Sequence, residues 1–344
     1  MKEKDKSKKI VLTFDYELSL GLDTGTAVNS IIKPTDYILD LFSKYNAKGL
    51  FFIDATYLLT LKKHNHKDLS VIEKQIGRLI NLGNDIGFHI HPQWLDAVKI
   101  DDERWAFKSF DRYRLHSLDT GKLNTLFYEA CELLLSIVKK YDINYKIRAF
   151  RAGGWCIQPF TDLKEAFLKN RIKFDFSVNP GLYSKTSSYG YYDFRKAPVN
   201  KSFWRFENDP CEADNNGSFF EIPVSTVKYR NIDLWINHYF YRRKEKEAGD
   251  GKSISLKKES MHFIKKILKL TDILSSRFIA GGLDGLHFRY FKKMVKKLNN
   301  KDFNFITYVC HPKKLSKSVK NNLEYLLKNY ETIGINEIEK ILKV

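Results

Sequence analysis

Short apolar runs rich in β-branched and aromatic residues alternate along this chain with longer stretches whose apolar positions return every three or four residues. Ile10–Asp15 is the first short run, and it ends on a carboxylate. From Pro34 to Tyr45, Ile38, Leu41 and Phe42 fall at helical spacing; Gly49 then precedes a second run, Leu50–Asp54. The same reading predicts a helix over Ile72–Leu82 stopped by Gly83, a strand at Asp85–His91, a helix at Leu123–Lys140 and a strand at Lys146–Arg151. A helix at Phe160–Lys169 and strands at Lys173–Val178 and Phe219–Val227 follow. Helices at Leu256–Ser275 and Leu286–Asn299, a strand at Phe303–Cys310, a helix at Ser316–Tyr330 and a last helix from Asn336 complete the pattern. Strands spaced by helices predict an α/β fold with a parallel sheet, open or closed into a barrel. There is no internal repeat and no long low-complexity linker. Residues 9–344 are therefore read as a single domain, with loop insertions near 95–122 and 182–256. Within the second insertion the hydrophilic passage Arg242–Lys258 is the candidate mobile loop.

Composition narrows the class. With 43% hydrophobic residues among 344, the chain has ample material for a core, which excludes a disordered protein. Cys131, Cys156, Cys211 and Cys310 lie far apart, which excludes a small disulfide scaffold. A net charge of +18 favours anionic partners, but basic residues are spread along the chain and no nucleic-acid recognition motif is present. Leu286–Asn299 carries Phe291, Met294, Val295 and Leu298 on one side and basic residues elsewhere. That pattern suits an outer barrel helix better than a helix lying on an anionic membrane. No apolar run approaches the roughly 20 residues that span a bilayer, and the one after the basic N-terminus is too short for a signal peptide. A cytoplasmic protein is expected, working at the inner membrane face if its substrate is lipid-linked.

The candidate chemistry collects at strand ends, where α/β barrels place their active sites. Asp15 and Glu17 end the first strand, His89 and His91 the strand at Asp85–His91, Arg151 the strand at Lys146–Arg151, and His311 the last. Residues two apart on a strand share a face, so Asp15 pairs with Glu17 and His89 with His91, while Tyr16 and Ile90 point the other way. Two imidazoles and a carboxylate make a three-ligand site for a divalent ion. A second carboxylate can take a proton from water, a separate His can protonate a leaving amine, and Arg151 can hold the base ionised. Each motif alone has an ordinary reading: D-x-E on a solvated turn, paired His in a core, His-Pro as a strand terminator. Their joint placement is what points to a site. Trp94, Trp105, Trp155 and Trp204 fall in or near loops, where one or two flat rings could stack on a ligand; the others are expected to fill core.

The strings TFDYE (Thr13–Glu17), DIGFHIHP (Asp85–Pro92), FRAGGW (Phe150–Trp155) and YVCHP (Tyr308–Pro312) resemble the ordered motifs of the polysaccharide deacetylase, or NodB-homology, superfamily of carbohydrate esterases. The resemblance runs over most of the chain. It implies a distorted (β/α) barrel of about seven strands, with its site at the C-terminal strand ends and hydrolytic removal of an N-acyl or O-acyl group from a sugar. It also implies catalytic places for Asp15 as base, His311 as acid and Arg151 beside the base, with substrate contacts at Gly154 and Trp155. Metal places fall on Glu17, His89 and His91, for a divalent ion, zinc first. Tyr16 and Gln93 occupy two of the family's usual ligand places, so Glu17 and His91 stand in for them, and a metal-free variant stays open. The fourth motif's aspartate has no clear counterpart; Asp233 is the nearest guess. The expected substrate is an acylamino sugar, lipid-linked or phosphate-bearing, in glycan or cell-envelope metabolism. A barrel glycosidase and a catalytically silent glycan-binding barrel are the alternatives.

Overall fold

The computed structural model of the chain describes residues 8–185, 191–253 and 275–344. The central sheet contains β1 (Lys9–Tyr16), β2 (Leu50–Asp54), β3 (Asp85–Ile90), β4 (Ala149–Ala152), β5 (Phe174–Asp175), β6 (Trp204–Phe206), β7 (Phe219–Glu221) and β8 (Phe305–Cys310). They lie in the order β6-β7-β5-β4-β3-β2-β1-β8. Seven of them run parallel, and the eighth, β6, is added antiparallel to β7 at the edge. This is the distorted (β/α) barrel expected from the sequence. Its seam lies between β7 and β8, where two backbone stretches bridge the gap. Ser225 donates its N–H to Thr307 O (3.0 Å) and accepts from Thr307 N on Oγ (3.0 Å), and Val309 N donates to Gly281 O (3.0 Å).

Alternation along the strands divides the apolar residues into two sets. Ile10, Leu12, Phe14 and Tyr16 of β1, with Phe51, Ile53, Phe88, Ile90 and Phe150, face the helices and build the larger core. The other parity fills the barrel: Val11, Leu50, Phe52, Ala149, Phe174, Phe220 and Phe305 pack on one another and on Ile335 and Ile338 of the last helix. That helix, Ile335–Leu342, closes the N-terminal end of the strands, where Ile335 N donates to Asp85 Oδ2 at 2.7 Å. Above the apolar filling, the same interior parity continues through Thr13, Asp15 and Glu17, through Asp54, through His89 and His91, and through Arg151. Strand geometry alone therefore aims these side chains into the open end of the barrel.

Element boundaries depart from the sequence reading where breakers or caps intervene. The expected strand Phe219–Val227 is two pieces, Phe219–Glu221 and Thr226–Arg230, on either side of Pro223. Asp54 and Ser316 cap the helices Ala55–Lys63 and Lys317–Asn329 with their side chains. Phe288–Asn299 buries Tyr290, Phe291, Met294, Val295 and Leu298, as an outer barrel helix should. The passage expected to be mobile is pinned where it is described: Glu245 accepts from Ser318, Glu247 pairs with Lys314 at 2.7 Å, and Asp250 accepts from Thr26 and Asn29. The helix expected at Leu256–Ser275 lies outside the described residues but for its last position. Among the described residues no helix is long and apolar enough to cross a membrane.

The register sets Glu221 opposite Asp175, both without solvent exposure. Burial, then the neighbouring Asp175 charge and the hydrogen bond between the two groups, push Glu221 well above the usual carboxyl range. Glu221 thus keeps its proton where an unfolded chain would lose it. A group raised on folding stabilises fully below its unfolded pKa, about 4.3 for Glu, and loses that contribution as pH rises toward the folded value. Urea unfolding should show the stability of wild type relative to Glu221→Gln declining from about pH 4 upward; a constant difference across pH would refute the shared proton.

Candidate active site

Glu17 is the centre of the cluster. Its Oε2 lies 3.1 Å from His89 Nε2 and 3.1 Å from His91 Nε2, and its Oε1 accepts from Lys313 Nζ at 2.8 Å. Burial opposes the charge on Glu17, but Lys313, His91 and His89 hold its pKa well below the carboxylate range. Asp15 sits beside it with Oδ1 against Arg151 Nη1 (2.5 Å) and Oδ2 3.4 Å from His311 Nε2. The structure therefore brings Asp15, Glu17, His89, His91, Arg151 and His311 to one place, at the C-terminal ends of β1, β3, β4 and β8.

Both imidazoles are oriented from behind. A carbonyl can only accept, so the 2.6 Å contact of His89 Nδ1 with Arg151 O fixes the proton on Nδ1. His91 Nδ1 faces Asp54 Oδ2 at 3.1 Å, and that oxygen also accepts from Trp94 Nε1 at 2.7 Å. In each ring Nε2 is left to face Glu17. Three lone-pair-bearing atoms turned on one another require a cation, proton or metal, between them. Burial disfavours charge on His89, yet the hydrogen bond to Glu17 and the charges of Asp15, Glu17 and Asp54 raise its pKa. The spacing also suits a metal. The three ligand atoms lie within 4.8 Å of one another, and a tetrahedral ion with bonds near 2.1 Å separates its ligands by about 3.4 Å. The residues present fit a divalent ion, with Nδ1 partners of the kind that orient metal-bound histidines.

His311 Nδ1 lies 3.1 Å from Asp284 Oδ2. Burial opposes its charge, but Asp284, then Asp15 and Glu17, raise its pKa to about 9. Asp284, from the loop between the strand Ser276–Ala280 and the helix Phe288–Asn299, is the carboxylate that holds this ring. Asp233 instead pairs with Arg230 (3.0 Å) and Lys293 (3.5 Å) on the outer helices. Asp54, Asp284 and Lys313 were all missed by sequence reasoning. Asp54 ends β2, so the strand-end rule applied evenly would have found it. Asp284 lies between glycines in GGLDG, just after the strand Ser276–Ala280, which the sequence reading did not predict. Nothing singles Lys313 out among 59 basic residues.

The FRAGGW turn shapes the floor beside His91. A Cβ on Gly153 would lie 2.6 Å from the His91 ring, so only glycine lets the turn pack that closely. Gly154 takes φ +58°, and a Cβ there would meet the Tyr113 ring at 2.6 Å, which brings Tyr113 from the 95–122 insertion against this turn. Trp155 is half-buried with its ring 6.1 Å from Tyr192. Trp94, Trp105 and Trp204 are buried, because their rings fill core rather than loop surface. Gln93 is buried in the turn after His91, and its amide atoms have no hydrogen-bond partner among the described residues.

No family model matches the chain, and no curated protein matches it. Among solved structures it is similar to the peptidoglycan deacetylase PdaC of Bacillus subtilis, at 12% identity and TM-score 0.38 over 98% of this chain and 92% of that one. A Mycobacterium smegmatis protein assigned as a polysaccharide deacetylase gives 12% identity and TM-score 0.44 over 98% and 92%. A pseudoenzyme of the CE4 family from Bacillus anthracis gives 10% and 0.38 over 97% and 66%. At such values the likeness carries no argument, and the functional reading rests on the geometry.

Asp54 gives a direct test of the second layer. Asp54→Asn removes the charge that holds His91 Nδ1–H and should weaken zinc binding by about 10–100-fold while the fold persists, read by calorimetric titration. Unchanged affinity would separate His91 from the ion.

Proposed function

We propose that this protein is a metal-dependent hydrolase that removes an acyl group, acetyl or formyl, from an acylamino sugar. The observation that carries this reading is the convergence, within hydrogen-bonding reach, of a base held by Arg151, an acid held by Asp284 and two imidazoles sharing one oxygen of Glu17. Glu17, His89 and His91 would hold the ion, which supplies Lewis acidity toward water and the acyl carbonyl.

The remaining steps belong to the chain's own side chains. Asp15 Oδ2 takes the proton of the attacking water as its oxygen bonds to the acyl carbon. Arg151 occupies Oδ1 and keeps the carboxylate aligned. His311, holding a proton through Asp284, delivers it to the sugar nitrogen as the C–N bond breaks, so the products are a free amine and a carboxylic acid. The backbone turn at Gly154 and Trp155 is the proposed contact for the acyl oxygen and sugar. A glycosidase would leave the two inward-facing imidazoles without work. The net charge of +18 suits a phosphate-bearing or lipid-linked carrier in cell-envelope metabolism, and with it a place at the cytoplasmic membrane face.

Incubation with N-acetyl and N-formyl amino sugars should release acetate or formate. Asp15→Asn and His311→Ala should each slow release by about 10²–10⁴-fold with the zinc content of wild type. New reducing ends without free acid would instead establish glycosidase chemistry and end this reading.

A further inference from the structure

Lys313 has no assigned role, yet its ammonium is built into the cluster. It follows His311 by two residues, on the short turn Pro312–Lys314 after β8. Its side chain is 8% exposed, and it donates to Glu17 Oε1 at 2.8 Å and to Leu18 O at 2.7 Å. The turn is clamped from outside. Gly249 N donates to Lys313 O at 2.8 Å, and Lys314 pairs with Glu247 at 2.7 Å. Burying an ammonium with its flexible stem is costly unless its charge is answered. Glu17 answers it, but with the oxygen turned away from the two imidazoles.

We propose that Lys313 is a positioning residue of the metal centre: a fixed cation that occupies one Glu17 oxygen, limits Glu17 to a single ligand oxygen beside His89 and His91, and weakens the grip on a divalent ion by its own charge. This rests on the reading of Glu17, His89 and His91 as the ligand set. The ammonium touches a ligand oxygen directly, so its repulsion of an ion held by that same carboxylate acts through a few ångströms of buried protein. At such range charge interactions are poorly screened. The ion is then held less tightly than the donor set alone would allow, which favours exchange and keeps Glu17 from closing on it with both oxygens. A purely structural ion pair predicts the opposite: without Lys313, Glu17 loses its anchor and the ion is held less well.

Zinc titration of the full-length chain by calorimetry, with a competing chelator, separates these. Lys313→Met should bind zinc at least about tenfold more tightly than wild type, and Lys313→Gln, which keeps a donor without the charge, should follow it. Lys313→Arg should stay near wild type. Affinity unchanged or weakened in both neutral variants, with circular dichroism showing an intact fold, overturns the proposal, as does a wild type that binds no zinc. If one neutral variant does not fold, the other decides. The titration needs no turnover. Tighter binding in a protein that hydrolyses no acyl sugar would therefore sink the proposed reaction and leave Lys313 standing, whereas hydrolysis with unaltered affinities would sink Lys313 alone.

Discussion

A fully buried guanidinium ties the barrel to its chemistry. Arg151 donates to Asp15 Oδ1, to Thr13 Oγ1 (2.9 Å) and to Phe176 O (2.9 Å), while its own carbonyl accepts from His89 Nδ1. Its flat face lies over the Phe52 ring, 4.4 Å from the centroid. One residue of β4 thus reaches β1, β2, β3 and the chain beyond β5. A buried charge is tolerated only when its donors are met, and breaking such a pair leaves an uncompensated charge costing about 3–5 kcal/mol. The position of Asp15 and the tautomer of His89 both depend on Arg151. The apolar filling beneath, from Val11 to Phe305, supports the guanidinium from the closed end and excludes water from that side.

The architecture was legible because hydrophobic periodicity records secondary structure directly. The strands β1, β2 and β8 appear as short, mostly apolar runs rather than strict alternations, since helices cover one face and the barrel interior the other. What failed was local. Pro223 divides an apolar run that periodicity reads as one strand, and the 242–258 passage looks mobile because its Glu and Asp partners, Ser318, Lys314 and Thr26, are distant in sequence. Parity on the strands put Asp15 with Glu17 and His89 with His91 on one face, and the structure agrees. The supporting residues were hidden for a physical reason. Asp54, Asp284 and Lys313 act on the cluster through contacts 27 to 296 positions away, and no spacing rule reports those.

These partners also account for how two adjacent carboxylates can differ. Asp15 and Glu17 share a strand face, and by sequence their roles could be exchanged. The structure breaks that symmetry by assigning each a cation for one oxygen. Arg151 takes Oδ1 of Asp15 and leaves Oδ2 toward His311; Lys313 takes Oε1 of Glu17 and leaves Oε2 toward the two imidazoles. The free oxygen of Asp15 therefore looks at the His311 imidazole, and the free oxygen of Glu17 looks at the Nε2 atoms of His89 and His91. A carboxylate facing an imidazolium is suited to passing a proton, whereas one facing two imidazole nitrogens is suited to sharing a cation with them. The longer Glu17 side chain is what carries its oxygen across to β3, a reach Asp15 lacks. An aspartate at position 17 would keep the charge and lose the span.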